Sequence, residues 1–258
     1  MHDHFNPDRF ADSAGVPWEG RSFEPNEYAN DAGQADPALI EAISALRAGT
    51  GTAEAVVDAF RNARLLIPLL AALGESGEGA HGQTVDKSAD LSVVTVATPD
   101  GLDGLPLFSS VAAMTAWNKD ARPVPSSAPR AALAAASEGN TRIILDPGSP
   151  TEFVLRRVAI AAVAQQLPWS PPHLRQEVGE EFGKIFEPYK AIADFELQAG
   201  DPQQLLAGPE LLLVLKLAPG LTQDEFDELM KAVAQDLSQS AVVADYVDSL
   251  RLKIAQAE

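Results

Sequence analysis

The stretch from Leu91 to Trp117, LSVVTVATPDGLDGLPLFSSVAAMTAW, is the part of the sequence that decides the predicted fold. Its β-branched residues between 91 and 96 predict a strand, and the run from Pro99 to Gly104 predicts a turn, because glycine tolerates positive φ and aspartate side chains bond nearby amides. Apolar residues resume at 105–108, which predicts a hairpin. Ser109 or Ser110 can then cap a helix that ends near Trp117. The stretch therefore predicts a hairpin followed by a helix that packs on a sheet.

Patterns outside this stretch predict an α+β protein of two small domains, each a mixed or antiparallel sheet covered by helices. We expect an irregular N-terminal arm over 1–34, an N-terminal domain over 35–165 and a C-terminal domain over 166–258. Asp36 followed by Pro37 predicts the start of the first helix. Pro68 predicts that the strand around it lies at a sheet edge or ends there, because proline cannot donate to a ladder. The alternation from Leu250 to Ile254 predicts a final strand with one apolar face.

The N-terminal arm is polar and broken by proline and glycine, yet it contains several aromatic residues, Trp18 among them. Two interpretations stay open: the arm is disordered, or it lies across the folded body or a second copy of the chain. In the second case the protein is an assembly protein that dimerises through the arm. We expect His2 and His4 to lie in a solvated tail rather than to bind a metal ion.

Charge is the most unusual bulk property, with 37 acidic and 19 basic residues and a formal net charge of −18. Nucleic acid and anionic membranes are therefore poor partners, because binding them requires clusters of lysine and arginine. There is no cysteine, which excludes thiol chemistry. No apolar run of about 18 residues and no signal-peptide pattern occur, so we expect a cytoplasmic protein.

The sequence lacks phosphate-binding loops, metal-ligand spacings and nucleophile motifs, so we expect no cofactor, no metal and no catalytic residue. The alternative is a hydrolase or transferase that acts on a small molecule with carboxylates and a serine or histidine, drawn from the turn with Asp100 and Asp103 and from the preceding loop with His81. A carboxyl of that turn with a raised pKa beside a cleft would support this alternative.

Two segments carry a resemblance to a known family. Leu105-Pro-Leu-Phe-Ser-Ser with Trp117 downstream, and Ile144-Leu-Asp-Pro-Gly-Ser-Pro, follow an apolar strand at 65–70 and a Thr-Pro-Asp-Gly turn. Together they resemble the N-terminal domain of the SseB family, named for enhanced serine sensitivity. Ser109 stands where the family pattern has threonine, and Asp146 stands where it has asparagine. The resemblance implies a small α+β module without an established catalytic residue, often followed by a second domain, which we predict for 166–258.

These observations favour a non-catalytic protein-interaction or regulatory module with an unidentified protein partner. The interaction surface predicted from the sequence consists of one aromatic residue of the arm and four residues of the central stretch: Trp18, Phe108, Trp117, Asp100 and Asp103.

Overall fold

The helices and strands confirm the predicted α+β class. The computed structural model describes residues 28–71 and 91–256. The helices are α1 (Pro37–Arg47), α2 (Ala53–Asn62), α3 (Val111–Trp117), α4 (Ala128–Ser137), α5 (Arg157–Ala164), α6 (Gln176–Phe186), α7 (Gln223–Gln239) and α8 (Ala241–Tyr246). The strands are β1 (Arg64–Ala71), β2 (Leu91–Val93), β3 (Val96–Ala97), β4 (Asp103–Leu107), β5 (Arg122–Ser127), β6 (Arg142–Leu145), β7 (Phe153–Arg156), β8 (Ile192–Ala199), β9 (Leu211–Leu217) and β10 (Leu250–Gln256).

Side-chain caps explain where several helices begin. Asp36 accepts a hydrogen bond from the amide of Ala38, Thr52 caps α2, and Ser110 caps α3. Thr222 and Glu225 form a complete capping box at the start of α7. Each cap satisfies backbone donors that the first helical turn leaves without a partner.

The first half of the described chain, from α1 to α5, is built on two small sheets. Their strand orders are β2-β1-β5 and β3-β4-β6-β7, and an antiparallel bridge between Leu66 and Phe108 joins them. Helices α1, α2, α4 and α5 pack on one face, where alternate residues of β4, β6 and β7 form the core with Phe60 and the alanines of α4. The small residues of α4 allow this helix to lie close to its neighbours.

Two local predictions for this half need correction. The hairpin forms only between β3 and β4, because β2 leaves the stretch to pair with β1 in the other sheet. Pro68 lies in a central strand, not at an edge. Its missing donor is tolerated because β1 changes partner there, from the bridge at Leu66 to β2 at Leu69.

The second half of the described chain has a three-stranded sheet in the order β10-β9-β8. Strand β9 is central, antiparallel to β8 and parallel to β10. Alternate leucines of β9 from Leu211 to Leu217 pack against Phe182 of α6 and Val233 of α7, so these helices cover one face. Among residues 28–71 and 91–256, strand β10 pairs with β9 alone and forms an edge of the sheet.

From Gly33 onward, both halves belong to one compact unit. Their hydrophobic cores remain separate. Leu206 from the second half packs with Ile144 and Val154, which lie on the face of the sheet β3-β4-β6-β7 opposite the main core. The predicted domain boundary at residue 165 stays a prediction.

Candidate interaction surface

The structure brings together two of the residues that the sequence predicts for an interaction surface. Phe108 and Trp117 lie with ring centroids 5.2 Å apart, tilted by 42°, on a small cluster with Leu66 and Met114. Phe108 is fully buried, whereas Trp117 is half-buried. A partner that binds here would therefore contact Trp117 rather than Phe108.

Asp100 and Asp103 lie at the other end of β4, roughly 16 Å away along an extended strand. Asp100 accepts hydrogen bonds from Thr98 and from Nε of Arg142, the latter at 2.9 Å. Burial raises the pKa of the Asp100 carboxyl, but the hydrogen bonds from Thr98 and Arg142 outweigh burial and the net pKa is lowered. Asp103 is exposed. Asp100 therefore does not have the raised carboxyl pKa that would support the hydrolase alternative.

The remaining sequence-based candidates lie outside the described residues. Trp18, His2 and His4 belong to the arm, and His81 belongs to the loop before β2. Dimerisation through the arm thus stays a prediction. Within 28–71 and 91–256, no cluster of three histidine or acidic side chains could hold a metal ion. No helix in those ranges has the length and apolar character needed to cross a membrane.

A groove that the sequence interpretation missed runs along edge strand β10, which lines it with apolar side chains. One cleft of about 320 Å³ lies between Phe226 of α7 and Ile254 of β10, and a second of about 240 Å³ lies between Met230 and Leu252. Phe226, Met230 and Ala234 share one helical face because they are four residues apart. We define these clefts, together with the side chains of Leu252 and Ile254, as the β10 groove.

The side chains of β10 that line the groove remain exposed although they lie on the core face of the sheet. Leu252 and Ile254 are 37% and 40% exposed. They pair in register with Leu213 and Leu215, which are fully buried. Alternation in the sequence predicts the apolar face correctly, but it cannot tell an edge strand from a central one, because the exposure depends on which neighbour is present.

A buried ionic cluster joins the two halves of the described chain. Arg142 on β6 donates to both oxygens of Asp248, at 2.9 and 2.8 Å, and Arg156 on β7 donates to Asp201 at 2.8 Å. The side chains of these four residues are only 1–4% exposed. A substrate has no access to such groups, so the cluster serves as an attachment between the two halves.

Glu210 completes this cluster, and one of its carboxylate oxygens has no hydrogen-bond partner among the residues that the structure describes. Its Oε2 accepts a hydrogen bond from the amide of Asp248 at 2.7 Å, whereas Oε1 is buried without a hydrogen bond. Burial raises the pKa of Glu210 to about 7; the hydrogen bond from Asp248 opposes this effect, and the charge of Asp248 adds to it. The sequence gives no hint of this group, because its burial arises from residues distant in the chain.

The fold defines an α+β module with helices on one face of its sheet. The family model described as SseB protein N-terminal domain matches residues 39–162. Residues 39–162 are therefore an SseB N-terminal domain, as the motifs in this segment predict. Neither the comparison with curated proteins nor the comparison with solved structures gives a match. A second SseB-type domain after residue 165 stays a prediction.

Proposed function

We propose that this protein is a non-catalytic interaction module that binds an extended segment of another protein along β10. In this mode the incoming segment adds a strand to the sheet. Its backbone pairs with the free donors and acceptors of the edge strand, and its side chains enter neighbouring clefts. Enzymatic activity is not part of the proposal.

The observation that supports the proposal is the combination of a strand edge with which no described residue pairs and the β10 groove beside it. Strand β10 pairs with β9 on one side only, and the exposed parts of Leu252 and Ile254 face clefts bounded by α7. Soluble proteins ordinarily protect an edge strand by keeping it short, by proline, by charged side chains or by a covering segment. Strand β10 has seven residues and no proline, so it is long enough for pairing, whereas its charged residues Arg251 and Lys253 disfavour cationic strands.

The proposal also retains the cytoplasmic location expected from the sequence. Cell fractionation of the native protein, with detection by antibody, tests this part separately. Recovery in a membrane or secreted fraction would contradict it.

Selection from a displayed library of random ten-residue peptides on the immobilised full-length chain tests the binding mode. Fluorescence anisotropy then compares each selected peptide on the wild type and on the double variant Leu252→Thr/Ile254→Thr. Threonine keeps strand propensity but removes apolar contact area. We expect the double variant to bind at least about tenfold more weakly, as for the central contacts of an interface.

Leu133→Thr is the matched control, because Leu133 is 55% exposed on α4, outside the β10 groove. It should bind every selected peptide as the wild type does. A selection that enriches no peptide, or peptides that bind the double variant as tightly as the wild type, would contradict the proposed function.

A further inference from the structure

We infer that the strand accepted by β10 alternates apolar with acidic side chains, the acidic ones lying on the sheet face opposite α7. This inference rests on the proposed function and names the chemistry of its partner. It follows from how the register of the sheet distributes the side chains of β10.

The register places the two kinds of β10 side chain on opposite faces. Leu252 and Ile254 pair with the buried leucines of β9 and point toward the helices. Arg251 and Lys253 alternate with them, so they lie on the other face of the sheet. Both cations are exposed. A strand added to β10 would therefore meet an apolar groove on one face and two cations on the other.

The two cations of β10 have no carboxylate partner among residues 28–71 and 91–256. By contrast, Lys216 on the same face of β9 contacts Asp194 at 2.9 Å and also contacts Glu196, both on β8. These contacts lie across the sheet from β10. Lys216 on the central strand therefore has acidic partners within the sheet, whereas Arg251 and Lys253 on the edge strand can pair with carboxylates of an added strand.

Direct cross-strand neighbours lie about 5 Å apart, where opposite charges stabilise a pair and like charges destabilise it. This rule disfavours two antiparallel pairings of β10 with a second copy of the chain. In an antiparallel pairing of two β10 strands centred on Leu252, Arg251 of one copy faces Lys253 of the other. Centring on Lys253 places two lysines opposite each other. An acidic strand avoids both conflicts.

The net charge of −18 does not prevent an acidic strand from binding at this edge. Charges more than about 8 Å away are largely screened at physiological ionic strength, whereas direct neighbours are not. The carboxylates of β8 lie two strand spacings from β10, roughly 10 Å. Both carboxylates also form ion pairs with Lys216, which offsets part of their negative charge.

The test uses three synthetic eight-residue peptides in which valine alternates with glutamate, glutamine or lysine. Fluorescence anisotropy measures their binding to the full chain and to the double variant Arg251→Glu/Lys253→Glu. We expect the wild type to bind the glutamate peptide about tenfold more tightly than the lysine peptide, and the charge-reversed variant to invert this order. The preference should shrink between low salt and about 0.5 M salt.

Lys119→Glu/Arg130→Glu is the matched control, because it changes the net charge equally at exposed positions of the first half. It should keep the wild-type order of affinities. If it inverts the order as well, the preference reflects net charge and the inference is wrong.

The outcomes separate this inference from the proposed function. If the glutamate and glutamine peptides bind alike, with both lost in Leu252→Thr/Ile254→Thr, the acidic preference fails and the binding mode stands. If peptides bind without regard to Leu252 and Ile254, the proposed function fails. Absence of binding by all three peptides would contradict the acidic preference, and the library selection would then decide the binding mode.

Discussion

The hydroxyl of Ser109 donates a hydrogen bond to Oδ2 of Asp146 across 2.7 Å, and its amide donates to Oδ1 at 2.8 Å. Thr151 donates a further hydrogen bond to the same carboxylate. In the family resemblance described above, Ser109 and Asp146 stand where the pattern has threonine and asparagine, and the structure shows that these two residues are hydrogen-bond partners. They tie the end of β4 to the turn that follows β6.

Replacing Asp146 should destabilise this junction. Asp146→Ala removes the acceptor of three hydrogen bonds and places alanine at a φ of +46°, which aspartate and asparagine tolerate better. We expect the free energy of unfolding in urea to fall by about 2–4 kcal/mol. Asp146→Asn keeps the backbone preference and one acceptor oxygen, so it should lose less. Asp120→Ala, at an exposed turn, is the control; equal losses for all three variants would refute this role.

Glu210 should make stability depend on pH. Its pKa is raised from 4.5 to about 7 in the folded protein, so between these values the folded state holds a proton that the unfolded state has lost. The free energy of unfolding therefore falls as pH rises from about 4.5 to 7. Glu210→Gln, which mimics the protonated form, should remove this contribution. Above pH 7 it should be more stable than the wild type by on the order of 3 kcal/mol.

Urea denaturation at pH 5, 6.5 and 8, taken as the difference between Glu210→Gln and wild type, measures the effect. Glu138→Gln replaces an exposed glutamate and serves as the reference. A difference that stays constant across the three pH values would show that Glu210 does not titrate in this window.

Asp248 should be important for the attachment between the two halves. Asp248→Asn leaves Arg142 buried with only Asp100 as a charged partner, and breaking a buried pair in this way costs about 3–5 kcal/mol. Hydrogen exchange should increase at β6 and β7 together with β10, because the cluster joins these strands. Asp245→Asn, an exposed neighbour on α8, should leave both stability and exchange unchanged. A loss confined to one half would argue against this attachment.

Trp117 should contribute to folding without contributing to peptide binding at β10. Trp117→Ala removes a half-buried ring that packs on Phe108, so we expect a loss of about 2 kcal/mol in unfolding free energy. Peptides selected on the β10 groove should bind this variant as tightly as the wild type. Weaker binding would instead indicate that the predicted surface around Trp117 takes part.

Local signals in the sequence predict the starts of α1 and α3. Asp36 and Ser110 each carry an oxygen at the position where a cap is needed, and each caps its helix in the structure. Strand β5 is missed because Pro123 and Pro125 argue against a strand. It forms as an edge strand, and the side of an edge strand that faces away from its partner needs no backbone N–H donors. Pro123 pairs in register with Pro68 of β1.

The features that define the candidate site arise from tertiary placement, which local patterns do not encode. The alternation around Leu252 predicts an apolar face, but its exposure follows from the position of β10 at the sheet edge. Likewise, Arg142 and Asp248 are 106 residues apart, and no spacing rule links them. The family pattern could locate Ser109 and Asp146 separately, yet their contact requires β4 and β6 to lie side by side.

The separation of Arg142 from Asp248 also has a consequence for synthesis of the chain. Ribosomes add about 5–20 residues per second, so Arg142 is made roughly 5 to 20 s before the carboxylate that it contacts through two nitrogens. During that interval the first half of the nascent chain holds an arginine with a single acidic neighbour, Asp100. A polypeptide that terminates before residue 248 would lack the Asp248 carboxylate that Arg142 contacts, which distinguishes an unfinished product from a complete one.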